Sequence, residues 1–187
     1  MSFPGIPSLD AAVMAFIQTH FHNTVTDTVF PIITSLGEAG IGWIVLSLVL
    51  LCFKKTRRTG GLVLIAMTVT LLFGELTLKN IICRLRPCNV FTDFPMLIAR
   101  PTSYSFPSGH TSSSFAAALI LTLRHKKVGW LAYIPAVFIA FSRIFLFVHY
   151  PTDVLAGILL GTLAALLTYF AAKAIQKRQA EKRTAQI

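Results

Sequence analysis

Lysine and arginine are missing from the first 53 residues of the chain, and acidic residues are scarce throughout, seven in 187. The first absence removes the basic n-region of a signal peptide, so the N-terminus reads as mature sequence. It also confines the formal net charge of +10 to later positions, which speaks against the basic surface of a nucleic-acid binder, and no nucleic-acid partner is expected. Three cysteines are too few for a disulfide scaffold. Cys83 and Cys88 flank one motif, where a bridge is permitted but nothing in the sequence requires it. No loop carries the clustered carboxylates or Cys/His sets of a Mg²⁺ or Zn²⁺ site, Asp93 being the sole acid between Arg84 and Pro107. His20 and His22 lack such companions and read as interfacial polar residues. There is no internal repeat or low-complexity tract.

What is present is apolar. With 55% hydrophobic and 13% charged residues and a mean hydropathy of +0.70, the chain is not an ordinary soluble domain and belongs in a bilayer. The predicted fold class is all-α, a polytopic membrane helical bundle of five to six transmembrane helices with an N-terminal interfacial helix. Spans are expected at about 38–53, 61–83, 108–123, 128–148 and 152–175, the shorter ones borrowing flanking residues to reach the ~20 that cross a bilayer. Leu9, Ala12, Val13, Phe16, Ile17 and Phe21 recur at helical spacing and predict an amphipathic helix lying on the membrane. A second pattern, Val25 to Leu36, is interrupted by Pro31, ended by Gly37 and too short to span. The organisation expected is one domain, 1–187: N-terminal interfacial helices at 1–37, a catalytic bundle at 38–175 and a basic cytoplasmic tail at 176–187.

Twelve of the 17 basic residues fall in three runs, Lys54 to Arg58, Arg124 to Lys127 and Lys173 to Arg183, each beside the end of an apolar segment. That is the positive-inside pattern of cytoplasmic loops. It predicts a multi-pass protein of the plasma (inner) membrane with its N-terminus outside and its C-terminus inside. The outer, or periplasmic, face then receives the end of the second span, the loop Arg84 to Pro107, the start of the third span and the turn around His149.

The remaining cations converge on that face. Ser142 to Asp153 reads Ser-Arg-Ile-Phe-Leu-Phe-Val-His-Tyr-Pro-Thr-Asp, with Arg143, His149 and Asp153 at the end of an apolar segment, where uncompensated charge is costly and marks a functional site. If Pro151 opens a helix, His149 and Asp153 lie four apart on one face. A carboxylate on one ring nitrogen fixes the tautomer and frees the other nitrogen to attack. Lys79 and Arg86, seven apart, share a face if one helix carries both, and Glu75 is placed to neutralise Lys79 by an i, i+4 ion pair. Ser108 is a natural N-cap, so the amides of Gly109 and His110 point from the positive end of a helix toward an anion, with His110 beside it as a candidate general acid.

Lys79 with six residues to Arg86-Pro87, Pro107-Ser108-Gly109-His110, and Ser142-Arg143 with five residues to His149 and three to Asp153 form three ordered motifs. The pattern resembles the three-part signature of the type 2 phosphatidic acid phosphatase (PAP2) superfamily, matched at every motif position from roughly Lys54 to the last span. The resemblance implies a metal-independent helical membrane enzyme, without cofactor, that removes phosphate from a lipid phosphate or diphosphate. It implies His149 as nucleophile, Asp153 as its orienter, His110 as general acid, and Lys79, Arg86, Ser108, Gly109 and Arg143 as phosphate ligands. The partners expected are a membrane lipid phosphate and the bilayer, and the pattern specifies no oligomeric state.

Within that resemblance, undecaprenyl diphosphate is the expected substrate, with phosphatidylglycerol phosphate, phosphatidic acid or transfer to an acceptor lipid as alternatives. Arg84 and Arg100, two further cations near the site, tilt the expectation toward a second phosphate. A vanadate-binding peroxidase is the superfamily's other branch, disfavoured by the spans. An anion channel or carrier would also want intramembrane cations, but has no use for a His149 oriented by Asp153.

Overall fold

The structure, a computed structural model, describes residues 3–184, and the regular structure among them is helical. Nine α-helices run in order: α1 (Ser8–His20), α2 (Thr24–Leu36), α3 (Ile41–Cys52), α4 (Arg57–Thr70), α5 (Lys79–Ile82), α6 (Pro87–Val90), α7 (Gly109–Arg124), α8 (Tyr133–Phe145) and α9 (Pro151–Thr184). A π-helical stretch, Leu71–Leu78, joins α4 to α5.

By length and composition, two helical stretches can cross a membrane, Arg57–Val90 taken through its breaks and Pro151–Thr184. Thr24–Leu36 with Glu38–Cys52 makes a third if that pair, bent by 44°, is one span. The expected third and fourth spans appear as α7, 16 residues, and the apolar stretch Gly129–Phe145. Helix α9 runs unbroken to Thr184, through most of the basic stretch expected as a tail, and residues 185–187 lie outside the described residues.

Helix α7 is the hub, packing against α9, α4 and α8. Its closest partner is α9, and small residues set that distance. A Cβ on Gly157 would lie 2.7 Å from the Ser108 carbonyl oxygen, and one on Gly161 would lie 2.3 Å from that of Ser112. This small-xxx-small contact lets the two backbones meet, as membrane helices do where no hydrophobic effect drives them together. It also brings the start of α9 to the start of α7, where the Ser108 amide donates to the Asp153 carbonyl at 3.1 Å.

The N-terminal helices differ from expectation in detail. Helix α2 passes through Pro31 without interruption: proline removes one N–H from the ladder, and a capping box between Asn23 and Thr26 secures the helix start. Leu9, Phe16, Val25, Val29, Ile32 and Leu36 face outward, while Asp10, Met14, Ile17 and Gln18 of α1 are buried. Much of the hydrophobic pattern therefore marks the outer face of these helices, while Asp10 and Gln18 of α1 turn inward beside Met14 and Ile17, α1 packing against α8 and α9.

Candidate active site

The turn between α8 and α9 is folded by its own backbone. The amides of Val148 and His149 both donate to the Arg143 carbonyl, at 3.2 and 3.1 Å, and Phe147 takes a left-handed φ of 59° to allow it. His149 is left 1% exposed. Its Nε2 lies 2.8 Å from a terminal nitrogen of Arg86, and its Nδ1 lies 3.5 Å from Asp153 Oδ2. A guanidinium only donates, so Nε2 accepts and the ring proton resides on Nδ1, which is near Asp153 but makes no hydrogen bond. Burial, then the Arg86, Arg143 and Lys79 cations, hold the imidazole well below its ordinary pKa, so it is neutral.

Asp153 is fixed from several sides. Pro151 opens α9 as the sequence suggests, and the Tyr150 amide donates to Asp153 Oδ2 at 2.9 Å. Ser105 Oγ donates to the same oxygen, and Arg84 donates to Oδ1 at 2.7 Å. His149 and Asp153 thus share one end of the helix, as their spacing implied.

The two cations of the first motif meet by a different route from the one expected. No helix joins them, because α5 stops at Ile82 and Cys83 adopts a left-handed φ of 50°. Arg86 is instead the residue before Pro87, which opens α6. Its guanidinium is fully engaged: Nε to the Ser103 carbonyl at 2.7 Å, one terminal nitrogen to Ser103 Oγ at 3.0 Å, the other to the Val148 carbonyl at 2.9 Å and to His149. Lys79 is buried and paired with Glu75 Oε2 at 2.7 Å, the i, i+4 contact read from sequence. Arg143, also buried, donates to Thr34 Oγ1 of α2, while its Nε has no partner.

Ser108 caps α7, its Oγ accepting from the Thr111 amide at 3.4 Å. At Gly109 any side chain would strike Glu75, whose Oε1 lies 2.1 Å from a Cβ built there. His110 Nε2 stands 3.5 Å from Glu38 Oε2, and no hydrogen-bond partner satisfies it. Lys79, Arg86, Gly109, His110 and Arg143 all line one cavity of about 1060 Å³, whose other wall is apolar, with Ile44, Leu64, Met67 and Leu71. Neither His149 nor Ser108 lines that cavity; His149 lies behind Arg86, one of its lining residues. Three cations, Lys79, Arg86 and Arg143, and the N-terminus of α7 around one space suit a tetrahedral anion carrying an apolar tail.

Sequence reasoning did not single out Asp10, Thr34, Glu38, Ser103 or Ser105. Only Asp10 carries a signal, as an acid in an apolar helix; the others are polar residues whose partners lie far along the chain. Arg84 and Arg100 are also placed differently from the expectation that both favour a second phosphate. Arg84 is held between Asp10 and Asp153, each at 2.7 Å, with its Cζ 3.8 Å from the centroid of the Tyr150 ring. Arg100 lines the cavity, but its guanidinium donates to the backbone carbonyls of Cys88, Thr92 and Phe94. The three cysteines are free thiols.

With this geometry in hand, the family is established. Residues 59–177 match the family model of the PAP2 superfamily, and the chain belongs to it. The chain is 38% identical over 127 residues to an undecaprenyl-diphosphatase of Sulfolobus acidocaldarius, covering 67% of this chain and 61% of that one. It is 33% identical over 145 residues to the bacitracin transport permease protein BcrC of Bacillus licheniformis, covering 76% and 71%. Among solved structures, the PAP2-type phosphatidylglycerolphosphate phosphatase of Bacillus subtilis superposes with a TM-score of 0.73 at 29% identity, over 92% of this chain and 89% of that one. The class defined by family, fold and relatives is a membrane lipid phosphatase.

Proposed function

We propose that the protein hydrolyses a polyprenyl diphosphate, undecaprenyl diphosphate in a bacterial setting, through a phosphohistidine and without a metal. The observation that carries this reading is the His149 ring, whose Nε2 lone pair accepts from Arg86 at 2.8 Å while Nδ1 lies 3.5 Å from Asp153 Oδ2. Nε2 attacks the terminal phosphorus as the bridging P–O bond breaks. His110, which takes up a proton once the substrate's phosphate anions offset the cations around it, gives that proton to the departing lipid phosphate, while Arg86, Lys79, Arg143 and the Gly109 and His110 amides stabilise the equatorial oxygens. Water then attacks phosphorus with His110 as base, releasing inorganic phosphate and restoring His149. Among the described residues no three His, Cys, Asp or Glu side chains group as a metal would need.

The polyprenyl diphosphate rests on the relatives named undecaprenyl-diphosphatase, since Arg84 is engaged by carboxylates. The likeness to the B. subtilis enzyme favours a second reading, a phosphatidylglycerol phosphate substrate. Five spans, an active site on the outer side of the plasma membrane and one domain over 1–187 complete the proposal, supported by the three basic runs at segment ends.

The test is phosphate release by purified protein in detergent from undecaprenyl diphosphate, phosphatidylglycerol phosphate and phosphatidic acid. The highest kcat/KM is expected for the diphosphate. A higher value for phosphatidylglycerol phosphate selects the second reading, and no release from any of them contradicts a phosphatase and leaves a carrier.

A further inference from the structure

The N-terminal helix α1 lies outside the three motifs and before the matched residues 59–177. Its one carboxylate is nevertheless 0% exposed. Asp10 Oδ1 accepts from the Thr152 amide at 2.9 Å, and Oδ2 accepts from the Thr152 hydroxyl and from Arg84, each at 2.7 Å. The Thr152 amide belongs to the first turn of α9, so Asp10 caps that helix from another segment of the chain. Eight residues further along α1, about 12 Å at the helical rise, the Gln18 side-chain amide donates to the carbonyls of Ile144 and Phe145, at 3.2 and 3.1 Å. Those carbonyls end α8. The catalytic turn from Leu146 to Tyr150 is therefore pinned at both ends by one helix.

We propose that α1 is part of the catalytic apparatus, with Asp10 acting through Arg84 as a positioning residue for Asp153 and Gln18 as the second pin of the His149 turn. The electrostatics give Asp10 a role beyond holding a helix. Arg84 lies between two carboxylates, and the three charges Asp10, Arg84 and Asp153 sum to −1. When His149 Nε2 bonds to phosphorus, the ring becomes cationic, and that net charge behind Nδ1 balances it. Without the Asp10 charge, Arg84 has Asp153 as its only counter-ion, the sum falls to zero, and the cationic ring loses its compensation just where burial makes charge costly. Arg84 also holds Oδ1 of Asp153, turning Oδ2 toward the ring.

This inference rests on the phosphohistidine reading, which wild-type turnover and phosphoenzyme formation test separately. The experiment measures kcat, KM and the vanadate inhibition constant for Asp10→Asn, Gln18→Ala, Asp153→Asn and the Asp10→Asn/Asp153→Asn double variant, in the full-length protein in detergent. Asparagine keeps an acceptor for the Thr152 amide, removes the charge and puts an N–H₂ donor where Oδ2 accepted from Arg84 and the Thr152 hydroxyl. Asp10→Asn is expected to lower kcat about tenfold or more while the vanadate constant, which reports the cation cage, moves less than about threefold. In the Asp153→Asn background the same change is expected to cost less than about twofold, because its effect passes through Asp153. Gln18→Ala is expected to lower kcat with the vanadate constant similarly preserved. Wild-type kcat in Asp10→Asn, or independent, multiplying effects of Asp10→Asn and Asp153→Asn, overturns the proposal. Loss of vanadate inhibition together with kcat in both Asp10→Asn and Gln18→Ala also overturns it, by making α1 a brace for the whole fold.

Discussion

Arg86 and His149 meet at 2.8 Å, guanidinium to Nε2, and the chemistry of that pair decides which nitrogen of His149 keeps a lone pair. Arginine has no lone pair to offer, so the imidazole accepts at Nε2 and carries its proton on Nδ1. In the proposed mechanism the same guanidinium turns from Nε2 to a phosphate oxygen when substrate enters, leaving the lone pair free to attack.

The first expected outcome is spectroscopic. Burial and the neighbouring cations depress the His149 pKa, so the ring is expected to stay neutral, as the Nδ1–H tautomer, while pH falls through its ordinary value of 6.5. Nitrogen-15 shifts of the labelled imidazole in detergent measure this directly. The unfolded chain takes up that proton first. The contribution of His149 to stability is thus fully present above pH 6.5 and declines as pH falls toward its lowered folded value.

Arg86→Lys tests the fork. An ammonium can supply one point charge, but cannot serve Ser103, Val148 and His149 together from a fixed plane. A loss of about a hundredfold in kcat/KM is expected, carried by both kcat and KM. A lysine variant within twofold of wild type would show that charge alone suffices.

Gly109→Ala introduces a methyl group onto the Glu75 carboxylate, the partner of Lys79. The variant is expected to lose at least tenfold in kcat/KM, and shortening the obstacle with Glu75→Ala in the same chain is expected to recover part of it. Equal activities of Gly109→Ala and wild type would place the phosphate away from this end of α7.

Much of this site was legible because the chain spends so little charge. In an apolar background, Lys79, Arg86, His110, Arg143, His149 and Asp153 had to be compensated or used, and their spacing brought His149 to Asp153 and Ser108 to a helix start. Other features depend on backbone breaks and distant partners. The reversal at Cys83 and the fold-back of Val148 and His149 onto Arg143 are conformations that helical spacing does not encode. The inward turn of α1 was hidden for a different reason. In a membrane protein both faces of a helix are apolar, so Leu9 and Phe16 lie outside while Met14 and Ile17 are buried, and only Asp10 and Gln18 distinguish the inward face.

Turnover is expected to survive chelators and to be inhibited by vanadate, which takes the geometry of the phosphoryl group in transfer and occupies the cage of Lys79, Arg86 and Arg143. Assays in chelator, with and without added Mg²⁺, check this. Activity lost in chelator and restored by Mg²⁺ would point to a metal as the source of charge stabilisation.

The most direct measurement is acid-quenched trapping of a phosphoenzyme from a substrate labelled in its terminal phosphate, with the site of attachment mapped by peptide analysis. The expected result is an acid-labile label on His149 that is absent in His149→Ala, and that persists in His110→Ala when the leaving group is good enough to depart without a proton. A His149→Ala variant that turns over at the wild-type rate, or a label that maps to any other residue, would contradict the account.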